Sequence, residues 1–491
     1  MTKHLKNNRG SAIVGLLLAL IVLLLAANAV VITLCFRVGG GAHVAAPTEA
    51  PTMATEPIPT ETETEPPTTT MPEPEHVVST ATILSTGDLV MHIPVVNTGA
   101  QSDGSYNFDS IFRYIKDYVS AADYSVVNLE TTFAGTDNGF PYAGYPRFNC
   151  PDALADATKE AGFDMLLTAN NHSFDTTLVG YKRTLEVVRG LGLETLGTYL
   201  SADEQKWTIV DINGIKVGML CYTYATGLGP KGTPRLNGNA EIGEAGICNY
   251  FNYDNLPAFY SEVEGYLGEM KAAGAEATMI FIHWGEEYEI KENAAEDKMA
   301  QKLCDLGFDV IIGGHPHVVQ PMALLQSTEN PEHKTYCLYS LGNAVSNQRA
   351  GISDKFSRYT ESGVLLSVTF EKYSDGKVYV AGIDAIPTWV NMHSKNGKRE
   401  YNILPLVKDK EEQWKTDFDL TDNELTAAQD SYAKTMKIIG EGLTACQEDL
   451  AQAKTDREAY YQNLAEHPEL ATQAATQPVA TVPETTVAEA A

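Results

Sequence analysis

Five polar signatures, each directly behind an apolar, β-branched segment, constrain this chain more than any other feature. They read TGDLVMH (Thr86 to His92), VVNLE (Val126 to Glu130), LLTANNHSFD (Leu166 to Asp175), MIFIHWGEE (Met279 to Glu287) and VIIGGHPHVVQP (Val310 to Pro321). A short apolar run of this kind bounded by turn residues is a buried strand. Each signature therefore puts Asp, Glu, Asn or His where such a strand ends. The carboxyl ends of neighbouring strands face one crevice, so residues far apart in sequence can build one site there.

The stretches between the signatures supply the other layers. Ile111, Ile115, Tyr118 and Val119 fall on one face and predict a helix over 108–121. Further helices are expected over 152–161, 178–189 (stopped by Gly190), 256–273 and 293–306. Strands are expected over 78–86, 124–129, 164–168, 278–283 and 309–312. Asn213-Gly214, between 207–210 and 215–222, marks a hairpin. Segments 334–341, 363–371 and 378–386 read as strands with no helix between them. Alternation followed by strands alone predicts an α/β layered sandwich with a partly antiparallel sheet. From 421 to 464 the chain is polar and helical, with Leu425, Tyr432, Met436, Ile439 and Leu443 at helical spacing. This predicts one or two amphipathic helices, packed on the body or on a partner, or simply solvated.

The ends differ in kind from this body. Lys3, Lys6 and Arg9 precede an uncharged apolar stretch over 12–36, long enough to span a bilayer. The flanking positive charges favour a cytoplasmic amino terminus with the bulk of the chain extracytoplasmic. A cleaved signal peptide is the rival, since Ala27-Asn28-Ala29 resembles a cleavage site, but the apolar run continues to Leu34. Cys35 follows Leu34 rather than a small residue and is not read as a lipoprotein cysteine. Pro, Thr and Glu dominate 37–77, and a similar composition closes the chain over 468–491. Such segments cannot bury enough surface to offset chain entropy and are expected to be disordered. The expected organisation is a basic terminus (1–11), an anchor (12–36), a stalk (37–77), a folded body (78–405), a helical appendix (406–467) and a tail (468–491).

Charge and cysteine content exclude some functions. The formal net charge is −29, and no Lys/Arg cluster is visible in the linear order beyond the first ten residues. Nucleic acid is therefore excluded as a partner of the body. None of the seven cysteines forms a C-x-x-C pair, which argues against a cysteine zinc site. Cys221 and Cys337 lie in apolar runs and read as buried thiols, and the sequence assigns no disulfide.

The strand-end residues have a common chemistry. Divalent cations take carboxylate, imidazole and amide oxygen ligands, and Asp88, Glu130, Asn171, His283, His315 and His317 supply these. The Gly-Gly before His315 is expected to allow a sharp turn, letting His315 and His317 face one site across Pro316. His92, Asn128, Asn170, Arg147, Glu287 and Asn343 stand beside the motifs and are candidate substrate contacts. Each residue alone has a plainer explanation: Asp after Gly is a turn residue, and Asn-Asn-His could cap a helix.

In this order, GD…NLE…ANNHSFD…HWGEE…GGHPHVVQP…SLGN resembles the CapA family of poly-γ-glutamate capsule biosynthesis proteins, over about Thr80 to Pro387. That family is similar to calcineurin-like metallophosphoesterases, whose pattern is D-x-H, G-D, G-N-H-D/E, H and G-H-x-H around two metals. The resemblance implies a four-layer αββα, metallophosphatase-like sandwich acting outside the cytoplasm on an anionic polymer. It also implies a divalent cofactor (Mn, Zn, Fe or Mg) and membrane-bound polymer synthase or export subunits as partners. Asp88 matches the first acidic ligand, but D-x-H is absent and His92 lies four residues on. Asn128-Leu129-Glu130 stands in place of Gly-Asp, so the bridging carboxylate is replaced or shifted. Asn171-His172 matches the Asn-His of the third motif, implying a ligand and a general acid, with the acidic partner displaced to Asp175. His283 matches the lone histidine, and His315 and His317 the final pair.

Two classes of function follow. One is a metal-dependent hydrolase or transferase, with His172 and Asp175 as catalytic residues. The other is a non-catalytic subunit of a membrane capsule machine that holds polymer in the same pocket. A body this acidic should repel a polyanion unless Lys182, Arg183 or Arg147, or a bound cation, makes the pocket locally positive.

Overall fold

In the computed structural model, which describes residues 74–229, 232–238, 240–395 and 397–467, the apolar runs behind the five signatures form strands or strand ends. The expected basic terminus, the anchor, most of the stalk and the tail lie outside the described residues. Among the described residues, no helix is long and apolar enough to cross a membrane.

Strands β1 (Val77–Leu89), β2 (Tyr124–Asn128), β3 (Met165–Leu167) and β4 (Glu194–Leu196) pair in parallel. Strands β5 (Thr208–Ile212) and β6 (Ile215–Tyr224) form the expected hairpin. Its Asn213 and Gly214 take φ of 54° and 81°, the left-handed pair that a tight hairpin turn requires. Three short strands, β7 (Gly227–Leu228), β8 (Pro234–Leu236) and β9 (Ala240–Glu241), make a small separate sheet. Next come β10 (Tyr250–Phe251), β11 (Ala277–His283), β12 (Val310–Gly314), β13 (Met322–Gln326) and β14 (Lys334–Leu338). β15 (Asn343–Val345) pairs in parallel with the end of β1, and β16 (Ser362–Tyr373), β17 (Val378–Lys395) and β18 (Lys398–Pro405) form an antiparallel meander. Among the described residues one sheet runs β18-β17-β16-β1-β2-β3-β4. The other runs β10-β6-β11-β12-β14-β13, with β5 beside β6.

The two sheets share one core because strand side chains alternate between faces. Ala81, Ile83, Val126, Met219, Phe281 and Ile312 belong to the core between the sheets. Their neighbours Leu84, Val127, Leu220, Ile280 and Ile311 point outward. The outer face of the first sheet packs on Val95 and Val96 of helix Ile93–Gly99 and on Leu154 of helix Ala153–Ala161. That of the second packs on helices Leu256–Ala272 and Ala294–Leu306 through Val263, Leu267, Met299 and Leu303. The fold is mixed α/β with a helical carboxyl terminus.

Several local expectations are revised. The helix expected over 108–121 is two, Asp109–Phe112 and Lys116–Ala121. The break lets Phe112, off the predicted stripe, pack edge-on against Phe163 while Ile111, Ile115 and Val119 stay buried. The strand expected over 334–341 stops at Leu338, because Tyr339 and Leu341 donate their N–H groups to Pro321 and Gly313 instead. The polar carboxyl-terminal segment is one helix, Asp422–Glu466, opened by a Thr421/Glu424 capping box. It is not solvated on all sides: Ile439, Leu443, Cys446 and Leu450 join the core between the sheets, against β13 and β17. Cys150, Cys221, Cys248, Cys304, Cys337 and Cys446 are buried and free.

Candidate functional site

The carboxyl ends of β1, β2, β3, β11 and β12 lie side by side, and the polar signatures meet there. Gly87 makes the approach of β1 to the Ser340-Leu341-Gly342-Asn343 turn geometrically feasible: a Cβ on it would sit 1.8 Å from the Gly342 carbonyl oxygen. Gly313 works likewise, since its Cβ would lie 1.8 Å from the Tyr339 oxygen. The sharp turn expected of Gly313-Gly314 is instead made by the histidines. His315 and His317 take φ of 99° and 57°, a left-handed backbone that costs a non-glycine residue about 1–3 kcal/mol.

Glu130 is at the centre. It is 0% exposed, and neither carboxylate oxygen has a hydrogen-bond partner. Its Oε1 lies 3.7 Å from His317 Nε2, 3.8 Å from His283 Nε2 and 4.0 Å from His172 Nε2. Two groups able to hold an ion form around it, Asp88–Glu130–His317 and Glu130–His283–His315, and Glu130 belongs to both. The Asn171 Oδ1 lies 2.9 Å from His283 Nε2, which adds an amide oxygen to the second group. His315 Nδ1 is also buried without a partner. Orphaned buried carboxylate and imidazole atoms, clustered within ligand distance of one another, fit a divalent cation.

Surrounding residues fix the orientation of this set. Asp88 accepts from Asn128 Nδ2 (2.7 Å) and from the His315 N–H (3.3 Å). Asn170 sits behind the first layer. It donates to Asn128 Oδ1 (3.1 Å) and the Leu129 carbonyl (2.8 Å) and accepts from the His172 N–H (3.1 Å). Asn343 is buried and donates to the carbonyls of His317 and Thr360 and to Gln348 Oε1, with its own Oδ1 3.1 Å from His317 Nδ1. That contact holds the Nδ1 proton and leaves Nε2 facing Glu130. His172 Nδ1 lies 2.7 Å from Asp175 Oδ2, which also accepts from the Phe148 N–H. Its Nε2 is thereby turned toward Glu130. His92 is half-buried, edge-on to Phe148, and takes a hydrogen bond on Nδ1 from the Asn347 N–H (3.3 Å).

The electrostatics follow from burial. Burial drives the Glu130 carboxyl well above the usual carboxylate range; the His317 charge opposes this, and Asp88, Glu287 and Asp175 add to it. Burial alone would lower His317, but the Glu130 and Asp88 carboxylates push it up to about 9. The direction common to both is a site that keeps protons when no cation balances the carboxylates. Burial, reinforced by neighbouring imidazoles, holds His283 and His315 well below the ordinary histidine value. His92 falls to about 4 for the same reasons, burial first and then His317. Neutral imidazoles are the form that ligates a cation.

Other candidates lie at the rim or apart. Glu287 and Arg147 are exposed, the first close enough to act electrostatically on Glu130 and His317. Lys182 and Arg183 do not make the pocket positive: each is paired, with Glu244 (2.9 Å) and Asp152 (2.7 Å). Some site residues were absent from the sequence reading. Asn237, at the β8–β9 turn with φ 49°, donates to Pro146 O (3.3 Å) and Asp175 Oδ1 (3.4 Å). Tyr224 lies against His315 and Tyr288 over His317. The Asn237-Gly238 pair was the only local signal for the first, and it signals a turn rather than a destination.

Residues 82–348 match the family described as bacterial capsule synthesis protein PGA_cap, a span containing all six candidate ligands. The PGA biosynthesis protein CapA of Bacillus subtilis (strain 168) is 27% identical over 319 residues, covering 63% of this chain and 74% of that protein. The capsule biosynthesis protein CapA of Bacillus anthracis is 27% identical over 277 residues, covering 54% of this chain and 60% of that protein.

Proposed function

This chain belongs to the bacterial capsule synthesis protein family PGA_cap, and we propose from that premise that it serves capsule or cell-envelope polymer biosynthesis through a divalent-cation site. The observation that carries the reading is Glu130, fully buried, unpartnered at both oxygens and common to two ligand groups. An uncompensated buried carboxylate is costly, and a bound cation removes that cost. Asp88, Glu130 and His317 would hold one ion; Glu130, His283, His315 and the Asn171 amide oxygen would hold another. Mn, Zn, Fe or Mg suits such oxygen and imidazole donors. A cation held here would polarise a phosphoryl or carbonyl oxygen and activate water.

The chain's own part is to orient and to move protons. Asp175 holds the Nδ1 proton of His172, so Nε2 is the atom that gives a proton to a leaving oxygen. Asn343 does the equivalent for His317, keeping Nε2 free toward Glu130. The sheets packed face to face with helices outside support the four-layer αββα, metallophosphatase-like reading. The relatives are named for PGA and capsule biosynthesis, which supports an anionic polymer of the poly-γ-glutamate type as the material handled. On this reading residues 12–36 anchor the chain in the cell membrane, the bulk is extracytoplasmic, and membrane-bound synthase or export subunits are its partners.

A second reading, a metal-dependent phosphoesterase or hydrolase on another envelope substrate, is favoured by the His172–Asp175 dyad beside the ligand set. Elemental analysis of the purified full-length chain, with His315→Ala beside it, tests the shared premise. Bound divalent metal in the parent and its loss in the variant are expected. A folded, metal-free parent would leave only a non-catalytic polymer-binding role.

A further inference from the structure

The chain is acidic overall, yet four cations from distant segments gather on one cleft outside the ligand set. Arg113, Lys116 and Lys398 line an open cleft of about 750 Å³ with Thr98, Tyr106 and Glu400. Lys398 and Thr98 also line an adjoining recess of about 260 Å³, bordered by Pro94 and Arg399. The two share residues and form one continuous track. Its two acids do not cancel these cations: Glu400 lies 3.5 Å from Arg113, and Asp109, which accepts from the neutral Asn107 Nδ2 at 2.7 Å, has no ion-pair partner among the described residues. Lys116 and Lys398 have no ion-pair partner among the described residues, so the surplus in the cleft is positive.

The track leads to the candidate site. Helix Ile93–Gly99, which supplies Pro94 and Thr98, begins directly after His92. β17 runs in the same direction as β1, since each is antiparallel to β16. Ser362 of β16, three residues past the partner of Thr86, pairs with Trp389, and β17 continues to Lys395. The β17–β18 hairpin bearing Lys398 and Arg399 therefore extends beyond the same end of the sheet as the ligand residues. Tyr401 of β18 hydrogen-bonds the Asn347 side chain, and the Asn347 N–H reaches His92.

We propose that this cleft binds a stretch of polycarboxylate chain and leads it to the strand-end site, an inference that rests on the polymer reading above. Exposed cations spaced along an open, polar channel suit repeated carboxylates on a flexible chain better than one compact ligand, whose affinity needs an enclosed, largely apolar pocket. Their recess between a helix and a hairpin suits a strand of polymer rather than a flat anionic membrane surface. It also answers the charge problem, since a local positive path can attract a polyanion to a molecule that repels it elsewhere.

The test is fluorescence anisotropy of labelled poly-γ-glutamate with the full-length chain and its Lys116→Glu/Lys398→Glu variant. The parent should bind in a manner weakened by salt. The variant should bind at least about tenfold more weakly, with its metal content unchanged as a control for folding. If the parent binds and the variant binds equally well, the cleft assignment is overturned while the polymer reading stands. If the parent binds no polymer, the polymer reading itself falls. Tighter binding of polyphosphate than of poly-γ-glutamate would overturn the polycarboxylate class.

Discussion

His317 Nε2 lies 3.7 Å from Glu130 Oε1 while its Nδ1 is held 3.1 Å from Asn343 Oδ1 and 3.4 Å from Asp88 Oδ2. One imidazole thus ties a fixed second layer to a carboxylate that has no hydrogen bond of its own. The ring can face a cation on one side only because the other side is spoken for.

Glu130→Gln should move stability and metal content in opposite directions. Burial raises the Glu130 carboxyl, so it costs stability above its ordinary titration range, and a neutral amide in its place should stabilise the chelated chain at neutral pH by about 1–3 kcal/mol. The same change replaces the carboxylate common to both ligand groups by a neutral amide, so bound metal should fall sharply. Thermal unfolding in chelator, paired with elemental analysis, reads both; a chelated variant less stable than its parent would contradict the account.

Asn343→Ala should weaken cation affinity about 10- to 100-fold, as loss of an outer-layer partner does, although Asn343 is assigned no contact with the ion. Titration calorimetry with Mn²⁺ measures it. Asn343→Asp, which keeps an acceptor for the His317 Nδ1 proton, should retain more affinity than Asn343→Ala.

Cation binding should release protons. The raised His317 value contributes stability to the cation-free chain that is present below its ordinary 6.5 and is lost as pH rises through about 9. A cation takes over the role of that proton. The rise in Tm on adding Mn²⁺ should therefore be larger at pH 8.5 than at pH 6, and an equal rise at both would count against it.

Glu296 gives a pH effect away from the ligands. It caps helix Ala294–Leu306, and burial, opposed by the Asn293 N–H and reinforced by Glu292, raises it to about 7. Its folded value lies above the unfolded one, so the stability it contributes is present below about 4.5 and is lost as pH rises through about 7. Glu296→Gln keeps an acceptor for the capping box. It should raise Tm at pH 8.5 and leave it unchanged or lower at pH 5.

Two glycines of the carboxyl-terminal helix should respond oppositely to alanine. A Cβ on Gly440 meets only Met436 Cε at 3.7 Å, so Gly440→Ala should stabilise by the helix-propensity difference of about 1 kcal/mol. A Cβ on Gly442 would lie 1.7 Å from the Met322 carbonyl oxygen of β13. Overpacking there, about 1–3 kcal/mol, outweighs the propensity gain, so Gly442→Ala should destabilise and loosen the helix from the sheet. Urea unfolding of the two variants decides it.

Much of the fold was legible because strand and helix periodicities are local. β1, β2, β11 and β12, and the helices that follow β2 and β11, could be read from apolar spacing, and the β5–β6 hairpin from Asn213-Gly214 alone. The strands β13 and β18 were not foreseen, although each is the hairpin neighbour of a strand that was read, and β15 owes its place to pairing with β1, distant in the chain. The turn at His315 was attributed to the glycines before it. Their small size serves close approach to Tyr339 and to β1, and that need is invisible until the partner strand is in place.

The sequence by itself determined the element types, the family and the residues that stand at strand ends, because motif order and periodicity are properties of neighbours. Tertiary structure alone decided that Glu130 belongs to two ligand groups and that Lys182 and Arg183 are neutralised. It also gathered Arg113, Lys116, Lys398 and Arg399, scattered in the linear order, onto one cleft. Burial and charge pairing act through space, and the distances that set them arise only when the two sheets close on their common core.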